Sequence, residues 1–273
     1  MSLIERTHDG VVFYQSELLD ADGGIAHGFS TRYGGVSKGI FSSLNLGHAR
    51  GDDRAAVEEN YRRFCAAAGT DADRMVFTCQ VHRDRIWTVT SADAGKGLWR
   101  ARDWEADGAD GLITDVPGIP LVVFSADCLP VLLYDPVRRV IGACHCGWRG
   151  TALGLAKKTA DALCRQYGSR PSDLLAAIGP GISRCCFETD DDVPAAMRNA
   201  LGDAADPAID ALGGGRYKVD CKAINRTWLL QAGLTEAHIE ISDQCTCCQP
   251  EKFWSHRKVG QARGSLAAII QLR

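Results

Sequence analysis

The sequence contains no long apolar segment, no run of like charges and only three methionines. The longest apolar stretches fall short of the 18 or more residues that a membrane-spanning helix needs, so no transmembrane helix is predicted. Residues 1–14 carry Glu5, Arg6 and Asp9 and have no continuous apolar core, which argues against a secretory signal peptide. We therefore expect a cytoplasmic protein.

The charges of the 273 residues nearly cancel, with a formal net charge of −3 at pH 7. Proteins that bind nucleic acids or anionic membranes concentrate positive charge on one face or in one segment, and no such run occurs here. We therefore expect a small-molecule substrate and neither a nucleic-acid nor a membrane partner. The sequence carries no signal for an oligomeric state.

Cysteine is abundant, with twelve residues, several of them crowded as Cys144-x-Cys146, Cys185-Cys186 and Cys245-x-Cys247-Cys248. Such close neighbours are poorly spaced to bridge one another, and a disulfide framework is typical of short secreted chains. We expect reduced thiols that are mostly buried, with one or two acting as ligands or nucleophiles. The 245–248 tract could bind a soft metal. However, only His256 follows it at a finger-like distance, so no structural zinc is predicted there.

The chain shows no internal repeat, low-complexity tract or long linker. Leu153, Ala156, Ala160 and Leu163 are spaced three or four apart and predict a helix over residues 151–167. Further helices are predicted at 193–201 and 221–232, and strands at 10–14, 85–90, 119–124, 131–134, 140–143, 174–178 and 266–272. Gly213-Gly214-Gly215 predicts a flexible turn. We expect a single α+β domain over residues 1–273, with mixed β-sheets and peripheral helices.

Cys128 and His145 follow or end neighbouring predicted strands, which a turn at Asp135-Pro136 connects. A thiol and an imidazole at one end of a sheet can form a nucleophile and its base, or both can bind zinc. His82 offers a third ligand. Two His and one Cys leave the fourth position of a tetrahedral zinc open, as in catalytic sites that activate water. The spacing matches no short metal motif, so both interpretations stand.

Two glycine-containing segments carry arginines. The residues 147–151 (GWRGT) lead into a predicted helix, where backbone N–H groups and Arg149 would suit an anion. Arg32 lies in the loop 29–37 and could bind a phosphate or a carboxylate. An ordinary strand-to-helix connection and a plain surface loop would look much the same.

Taken together, the ordered segments resemble the YfiH family, also called the multicopper polyphenol oxidase or laccase-domain family. The match covers nearly the whole chain, in the segments FSTRYGGVS, SLNLG, GDD with AAVEEN, QVH, ADG, SADCLPVLLYDP, HCGWRGT, AIGPGI with CCFE, DQCT, and FWSHRK with the late Arg263. The resemblance implies a metal site at His82, Cys128 and His145, the residues that also carry catalysis. It implies a layered α+β fold shared with a bacterial toxin deamidase that uses a Cys–His pair.

The resemblance also implies the activity: phosphorolysis of adenosine, inosine and methylthioadenosine, with adenosine deamination beside it. Zinc is the expected metal, with copper as the alternative, because family members have been described as copper-dependent phenol oxidases. The acid that helps the base to leave is open between Asp127 and a water on the metal. We assign substrate and phosphate binding to Arg32, Asn45, Gln80, Arg149 and Arg257.

Three positions depart from the usual family pattern. Arg83 stands where glycine is common, His48 lies one residue early, and residues 260–264 replace a TGRMA-like run. None of them touches the three proposed ligands. No role is therefore assigned to His48 or Arg263.

Three other functions remain possible interpretations of the same residues. Copper-dependent phenol oxidation ranks low, because a blue-copper site has an axial Met and none of the three methionines is adjacent to the ligands. A metal-free hydrolase would use Cys128 as nucleophile and His145 as base. A non-enzymatic nucleoside-binding or metal-binding module that regulates a partner would show no turnover.

Overall fold

The computed structural model describes residues 3–101 and 108–273; Met1 lies outside them. Within these residues the strands are β1 (Ile4–His8), β2 (Val11–Gln15), β3 (Ile25–Ser30), β4 (Val76–Phe77), β5 (Ile86–Thr88), β6 (Gly111–Thr114), β7 (Leu121–Ser125), β8 (Leu129–Asp135), β9 (Val140–Cys146), β10 (Leu175–Ile178), β11 (Glu188–Thr189), β12 (Ile209–Gly213), β13 (Arg216–Val219), β14 (Ile239–Ile241) and β15 (Leu266–Leu272). The α-helices are α1 (Glu17–Asp20), α2 (Arg54–Ala68), α3 (Trp148–Ala152), α4 (Leu155–Tyr167), α5 (Asp192–Leu201), α6 (Cys221–Gln231) and α7 (His256–Val259).

The described strands form two six-stranded sheets and a small three-stranded one. The first sheet has the order β1-β2-β3-β15-β7-β4, with the C-terminal strand β15 antiparallel to both of its neighbours. The second has the order β14-β10-β8-β9-β6-β5, around the antiparallel β8–β9 hairpin. The third, β11-β13-β12, lies beside α5 and α6 in the chain.

Alternating side chains of the two large sheets build the core in layers. Leu121 and Ile270 of the first sheet share one buried cluster with Leu132 and Ile141 of the second, so the two sheets pack face to face. The outer face of the first sheet packs on α2, and that of the second packs on α4, α5 and α6. The predicted α+β class with mixed sheets and peripheral helices is thus confirmed.

The predicted strands all occur, with ends that differ from the prediction by at most three residues, and the Asp135-Pro136 turn joins β8 to β9. The predicted helix 151–167 is wrong in its first turn, because α3 ends at Ala152 and α4 begins only at Leu155. Gly154 takes a left-handed φ of +70° between them, and Leu153 is 44% exposed instead of lying on the buried face. The glycines at 213–215 all have positive φ in the β12–β13 hairpin.

No helix within residues 3–101 and 108–273 has the length and apolar character to cross a bilayer.

Candidate functional site

The β8–β9 hairpin brings a thiol and an imidazole to one end of the central strands of the second sheet. Cys128 directly precedes β8, and His145 in β9 lies opposite Pro130. His82 reaches the same end of these strands from the loop between β4 and β5. The ligand atoms of His82, Cys128 and His145 all lie within 4.8 Å of one another, and the two imidazole centroids are 4.9 Å apart. These three side chains together could hold a metal ion.

Asp110 connects the two histidines. Its carboxylate is 1% exposed, and Oδ1 lies 2.8 Å from Nδ1 of His145. The same carboxylate accepts the backbone N–H groups of Val81, His82 and Arg83 at 2.9, 3.1 and 3.0 Å, which fixes His82 at a left-handed φ of +56°. One buried carboxylate therefore sets both the turn that presents His82 and the orientation of the His145 ring.

Asp110 is not among the site residues that the sequence predicts. The signal that could have revealed it is an acidic residue directly before the apolar strand β6 (Gly111–Thr114), since a carboxylate behind a ligating histidine is a recurrent partner.

The electrostatics of the site follow from burial and from these contacts. Burial lowers the pKa of His145, but Cys128 and Asp110 outweigh it and raise the pKa to about 10. Burial raises the pKa of Asp110, but the His145 ring and the backbone N–H donors hold it below its usual value. Burial and the neighbouring His145 lower the pKa of His82. The negative groups around the buried His145 ring thus favour a positive charge at this position, which a proton or a bound metal ion can supply.

This donor set fits zinc, which binds His nitrogen and Cys sulfur and whose histidine ligands commonly bond a carboxylate through the second ring nitrogen. Gly147 leaves the space between the ligands open. A Cβ at this position would lie 3.1 Å from Sγ of Cys128 and 3.2 Å from Nδ1 of His82.

Asp127 holds the loops around Cys128. It has an unusual φ of +91°, and its carboxylate accepts one bond from the Thr246 hydroxyl at 2.7 Å and one from the backbone N–H of Arg257 at 2.6 Å. Both oxygens are thus used to join β8 to two distant loops. This positions Cys128 and gives Asp127 an evident structural task beside the acid role considered from sequence.

Two cavities meet at the three ligands. The larger has a volume of about 870 Å³, within the range of small-molecule sites, and is lined by apolar, aromatic, acidic and basic side chains. The smaller, of about 240 Å³, lies on the side of His48, Gln80 and His145. Both cavities are lined by His82, Cys128, Arg50, Arg263 and Ala126.

Two guanidinium groups stand where the cavities meet. Arg263 is 7% exposed and donates from Nη1 to the Gly264 carbonyl at 2.8 Å, and its buried Nε has no hydrogen-bond partner among residues 3–101 and 108–273. Burial and the nearby Arg50 lower the pKa of Arg263 to about 10. Arg50 contacts Gln261 at 3.0 Å. Two adjacent cations with donors to spare form a site for an anion.

Two of the five predicted binding residues line the cavities, and a third, Arg149, lines neither but is close enough to His82 to affect its pKa. Arg257 lines the larger cavity, with Nη1 held by the carbonyls of Cys186 and Glu188. Gln80 lines the smaller cavity, and its amide bonds both the N–H and the carbonyl of Phe124. Arg149 stacks on Trp148, with 4.2 Å from its Cζ to the ring centroid. Its positive charge also lowers the pKa of His82, although by less than burial and His145 do.

The structure places the other two predicted binding residues, Arg32 and Asn45, elsewhere in the fold. Within the described chain, neither belongs to the lining of the two cavities. Arg32 lies 3.8 Å over the Trp254 ring and donates to the carbonyls of Ser42 and Pro250. Asn45 is fully buried and accepts the backbone N–H groups of Gly47 and Ser265. The Arg32 donors thus bind loop carbonyls, and Asn45 binds loop N–H groups through its oxygen and the Asp52 carboxylate through its Nδ2 at 2.9 Å.

His48 borders the smaller cavity, whereas Met75 and Met197 lie in the hydrophobic core. His48 lines the smaller cavity, with its ring 5.0 Å from that of Phe77 and 5.5 Å from that of Phe124. Met75 and Met197 are fully buried in hydrophobic clusters and do not line either cavity.

Fold and site define a layered α+β protein with a His–Cys–His group, suited to a metal, at the mouth of a small-molecule cavity. Residues 26–273 match the model of the family described as multi-copper polyphenol oxidoreductase laccase, and the chain belongs to this family. The resemblance drawn from the sequence segments is thereby confirmed.

Two relatives and a solved structure resemble the chain over most of its length. The purine nucleoside phosphorylase YlmD of Geobacillus stearothermophilus is 38% identical over 252 residues, which is 92% of this chain and 91% of the relative. The adenosine deaminase RL5, of an unknown prokaryotic organism, is 32% identical and covers 85% of this chain and 88% of its own. The crystal structure of YfiH of Bacillus licheniformis superposes with a TM-score of 0.90 at 36% identity, covering 98% of this chain and 99% of the other.

Proposed function

We propose that the protein is a zinc-dependent purine nucleoside phosphorylase that also deaminates adenosine. The observation that carries the proposal is the meeting of a His–Cys–His group and a pair of guanidiniums between two cavities. This arrangement offers places for a metal, an anion and a nucleoside within reach of one another. Two relatives, one named a purine nucleoside phosphorylase and the other an adenosine deaminase, support both halves of the proposal.

His82, Cys128 and His145 would hold the zinc ion. When bound, zinc supplies a Lewis acid that polarises a substrate oxygen or activates water. Asp110 keeps Nδ1 of His145 engaged and so directs Nε2 of this ring away from the carboxylate. Gly147 keeps side-chain atoms out of the space between Cys128 and His82.

The larger cavity suits the nucleoside. Trp148 and Phe187 offer aromatic surface for a purine, and Glu188, Asp190 and Asp192 line the same wall as acceptors for ribose hydroxyls. Its volume of about 870 Å³ also leaves room for the co-substrate.

Phosphate would bind at Arg263 and Arg50, with Arg257 and Arg149 as further cations around it. Charge-assisted bonds from guanidinium to phosphate are short and strong, and the spare Nε of the buried Arg263 has no competing acceptor in the described chain. These cations replace Arg32 in the role considered from sequence, because its guanidinium is committed to Ser42 and Pro250.

In phosphorolysis a phosphate oxygen forms the bond to C1′ of the ribose as the N-glycosidic bond breaks, and its electron pair leaves with the purine. The guanidiniums hold phosphate in position for this attack, which converts an encounter of two solutes into a reaction within one complex. In deamination, water adds at C6 of adenosine and ammonia leaves, giving inosine. The second reaction needs no phosphate, so the two are separable by experiment.

The test is to incubate the purified, metal-quantified protein with adenosine, with and without phosphate, and to identify the products by chromatography. We expect adenine and ribose 1-phosphate only with phosphate, and inosine without it, both abolished in the His82→Ala variant. Full activity in the His82→Ala variant would disprove the proposed site. Absence of product from wild type carrying zinc would disprove the enzyme proposal and favour a binding module.

A further inference from the structure

Four cysteine thiols form a second cluster, separate from the three ligands of the candidate catalytic site. The Sγ atoms of Cys185, Cys186, Cys245 and Cys248 all lie within 4.8 Å of one another. Three of the sulfur–sulfur distances are 3.8 Å (185–186), 3.5 Å (185–248) and 3.3 Å (186–248). The cysteines that lie next to the 245–248 tract are thus about sixty residues earlier in the chain. In a zinc-finger motif the second pair of ligands would follow the tract.

The sulfur–sulfur distances suit a tetrahedral metal. A zinc ion with sulfur ligands at about 2.3 Å has neighbouring sulfurs about 3.8 Å apart, which is the edge of the tetrahedron. A disulfide bond would bring two sulfurs to about 2.05 Å. The observed distances of 3.3–3.8 Å are close to the tetrahedral edge and far from the length of a disulfide bond. A set of four soft thiolates also favours zinc over hard cations.

The backbone around the cluster is arranged to receive negative sulfur. Cys245 and Cys248 form a C-x-x-C turn, in which the backbone N–H groups of Cys247 and Cys248 lie near Sγ of Cys245. A third N–H, from Ser183, lies 3.4 Å from the same sulfur. N–H donors directed at a sulfur favour its thiolate form, which is the form that binds metal.

A buried cation lies beside the cluster. Lys222 is 6% exposed, and its Nζ donates to the carbonyls of Ser242 and Gln244 at 2.8 Å each and to the Ser183 hydroxyl at 3.0 Å. These acceptors belong to the two loops that carry the cysteines. Its positive charge offsets part of the excess negative charge that four thiolates around one Zn²⁺ would leave.

We propose that Cys185, Cys186, Cys245 and Cys248 bind a second zinc ion, in a closed structural site. Four sulfurs fill the tetrahedron and leave no position for substrate, as in other structural zinc sites. The ion would tie the loop before β11 to the loop before α7.

Both loops border the larger cavity. The carbonyl of Cys186 holds Nη1 of Arg257, and Thr246 bonds the Asp127 carboxylate next to Cys128. The second zinc would therefore support the wall of the cavity without taking part in the reaction. Its existence does not depend on which reaction the protein catalyses.

The first test is zinc content by mass spectrometry of the purified full chain. We expect two zinc ions per chain in wild type, one in His82→Ala, and one in Cys186→Ser or Cys248→Ser. Cys247→Ser is the matched control, because it changes a cysteine of the same tract outside the four, and we expect it to keep two. One zinc in wild type and none in His82→Ala would overturn the proposal.

A second measurement does not require that the cysteine variants fold. X-ray absorption at the zinc edge of the His82→Ala protein would report the remaining ion in an otherwise intact chain. We expect four sulfur neighbours at about 2.3 Å. A shell containing nitrogen or oxygen ligands, or a disulfide among these cysteines in the non-reduced protein, would contradict the four-thiolate site.

Discussion

Oδ1 of Asp110 lies 2.8 Å from Nδ1 of His145, and the same carboxylate accepts three consecutive backbone N–H groups, among them that of His82. Two of the three proposed metal ligands are therefore oriented by one buried side chain that does not itself belong to the ligand set. The relationship makes the geometry of the site depend on a residue outside it.

Replacing this carboxylate tests the relationship. We expect Asp110→Asn to lower zinc affinity and turnover by about 10-fold to 100-fold, because the amide group puts a donor where the carboxylate accepts. Zinc titration and kcat measure the effect. Asp135→Asn is the matched control: Asp135 is equally buried, but accepts the N–H groups of Val137 and Arg138 in the β8–β9 turn. It should lower Tm and leave zinc affinity unchanged; equal zinc loss in both variants would contradict the account.

Gly147→Ala probes the space between the ligands. The backbone at Gly147 has φ of −64°, which any residue adopts, so the change acts through its added methyl group. This group would lie 3.1 Å from Sγ of Cys128 and 3.2 Å from Nδ1 of His82. We expect weaker zinc binding and a loss of activity with Tm changed by only a few degrees. Unchanged zinc affinity would show that the ligands do not converge as the structure has them.

Arg263 and Arg32 give opposite expectations for the phosphate step. Arg263→Gln should raise KM for phosphate about 10-fold to 100-fold, since it removes charge-assisted bonds worth about 1.5–3 kcal/mol. Adenosine deamination, which uses no phosphate, should keep its rate within about twofold. Arg32→Gln should leave KM for phosphate unchanged and lower Tm, because Arg32 holds loop carbonyls. A raised KM for phosphate in Arg32→Gln and an unchanged KM in Arg263→Gln would support Arg32 as the phosphate ligand, as the sequence predicts.

His27 predicts a pH dependence of stability. Burial, with a smaller effect of Arg273, lowers its pKa from 6.5 to about 4, and its Nε2 accepts the Ser16 N–H at 2.9 Å. The unfolded chain therefore binds the proton more readily between pH 6.5 and 4. The stabilisation is complete above pH 6.5 and is lost as the pH falls towards 4, by on the order of 3 kcal/mol.

Denaturant unfolding of wild type and His27→Gln across this pH range checks the expectation. Wild type should lose free energy of unfolding more steeply than the variant between pH 6.5 and 4. Parallel curves would contradict the buried, neutral state of His27.

The sequence predicts the fold well where local pattern and packing agree. β15 has the predicted bounds, and the β8–β9 hairpin brings Cys128 and His145 together as its turn suggested. The helix break at Gly154 was missed because periodicity carries across one left-handed residue. The single domain over residues 1–273 stays a prediction.

Less of the site can be predicted from the sequence, because the residues that support the metal ligands are distant from them along the chain. Asp110 and His145 are 35 positions apart, and Cys186 and Cys248 are 62 apart, so no local pattern links them. A cation in a glycine-rich loop resembles an anion ligand, which is why the sequence predicts that role for Arg32. Its stacking on Trp254 depends on a segment more than 200 residues later.

The central claim is that turnover requires a metal at His82, Cys128 and His145. The most direct measurement is phosphorolysis of adenosine by protein stripped of metal with a chelator and then titrated with zinc. We expect no activity in the stripped protein, recovery in proportion to bound zinc, and no recovery in His82→Ala. Full activity of the stripped wild type, together with its inactivation by a thiol-alkylating reagent, would contradict the account and favour a metal-free Cys–His mechanism.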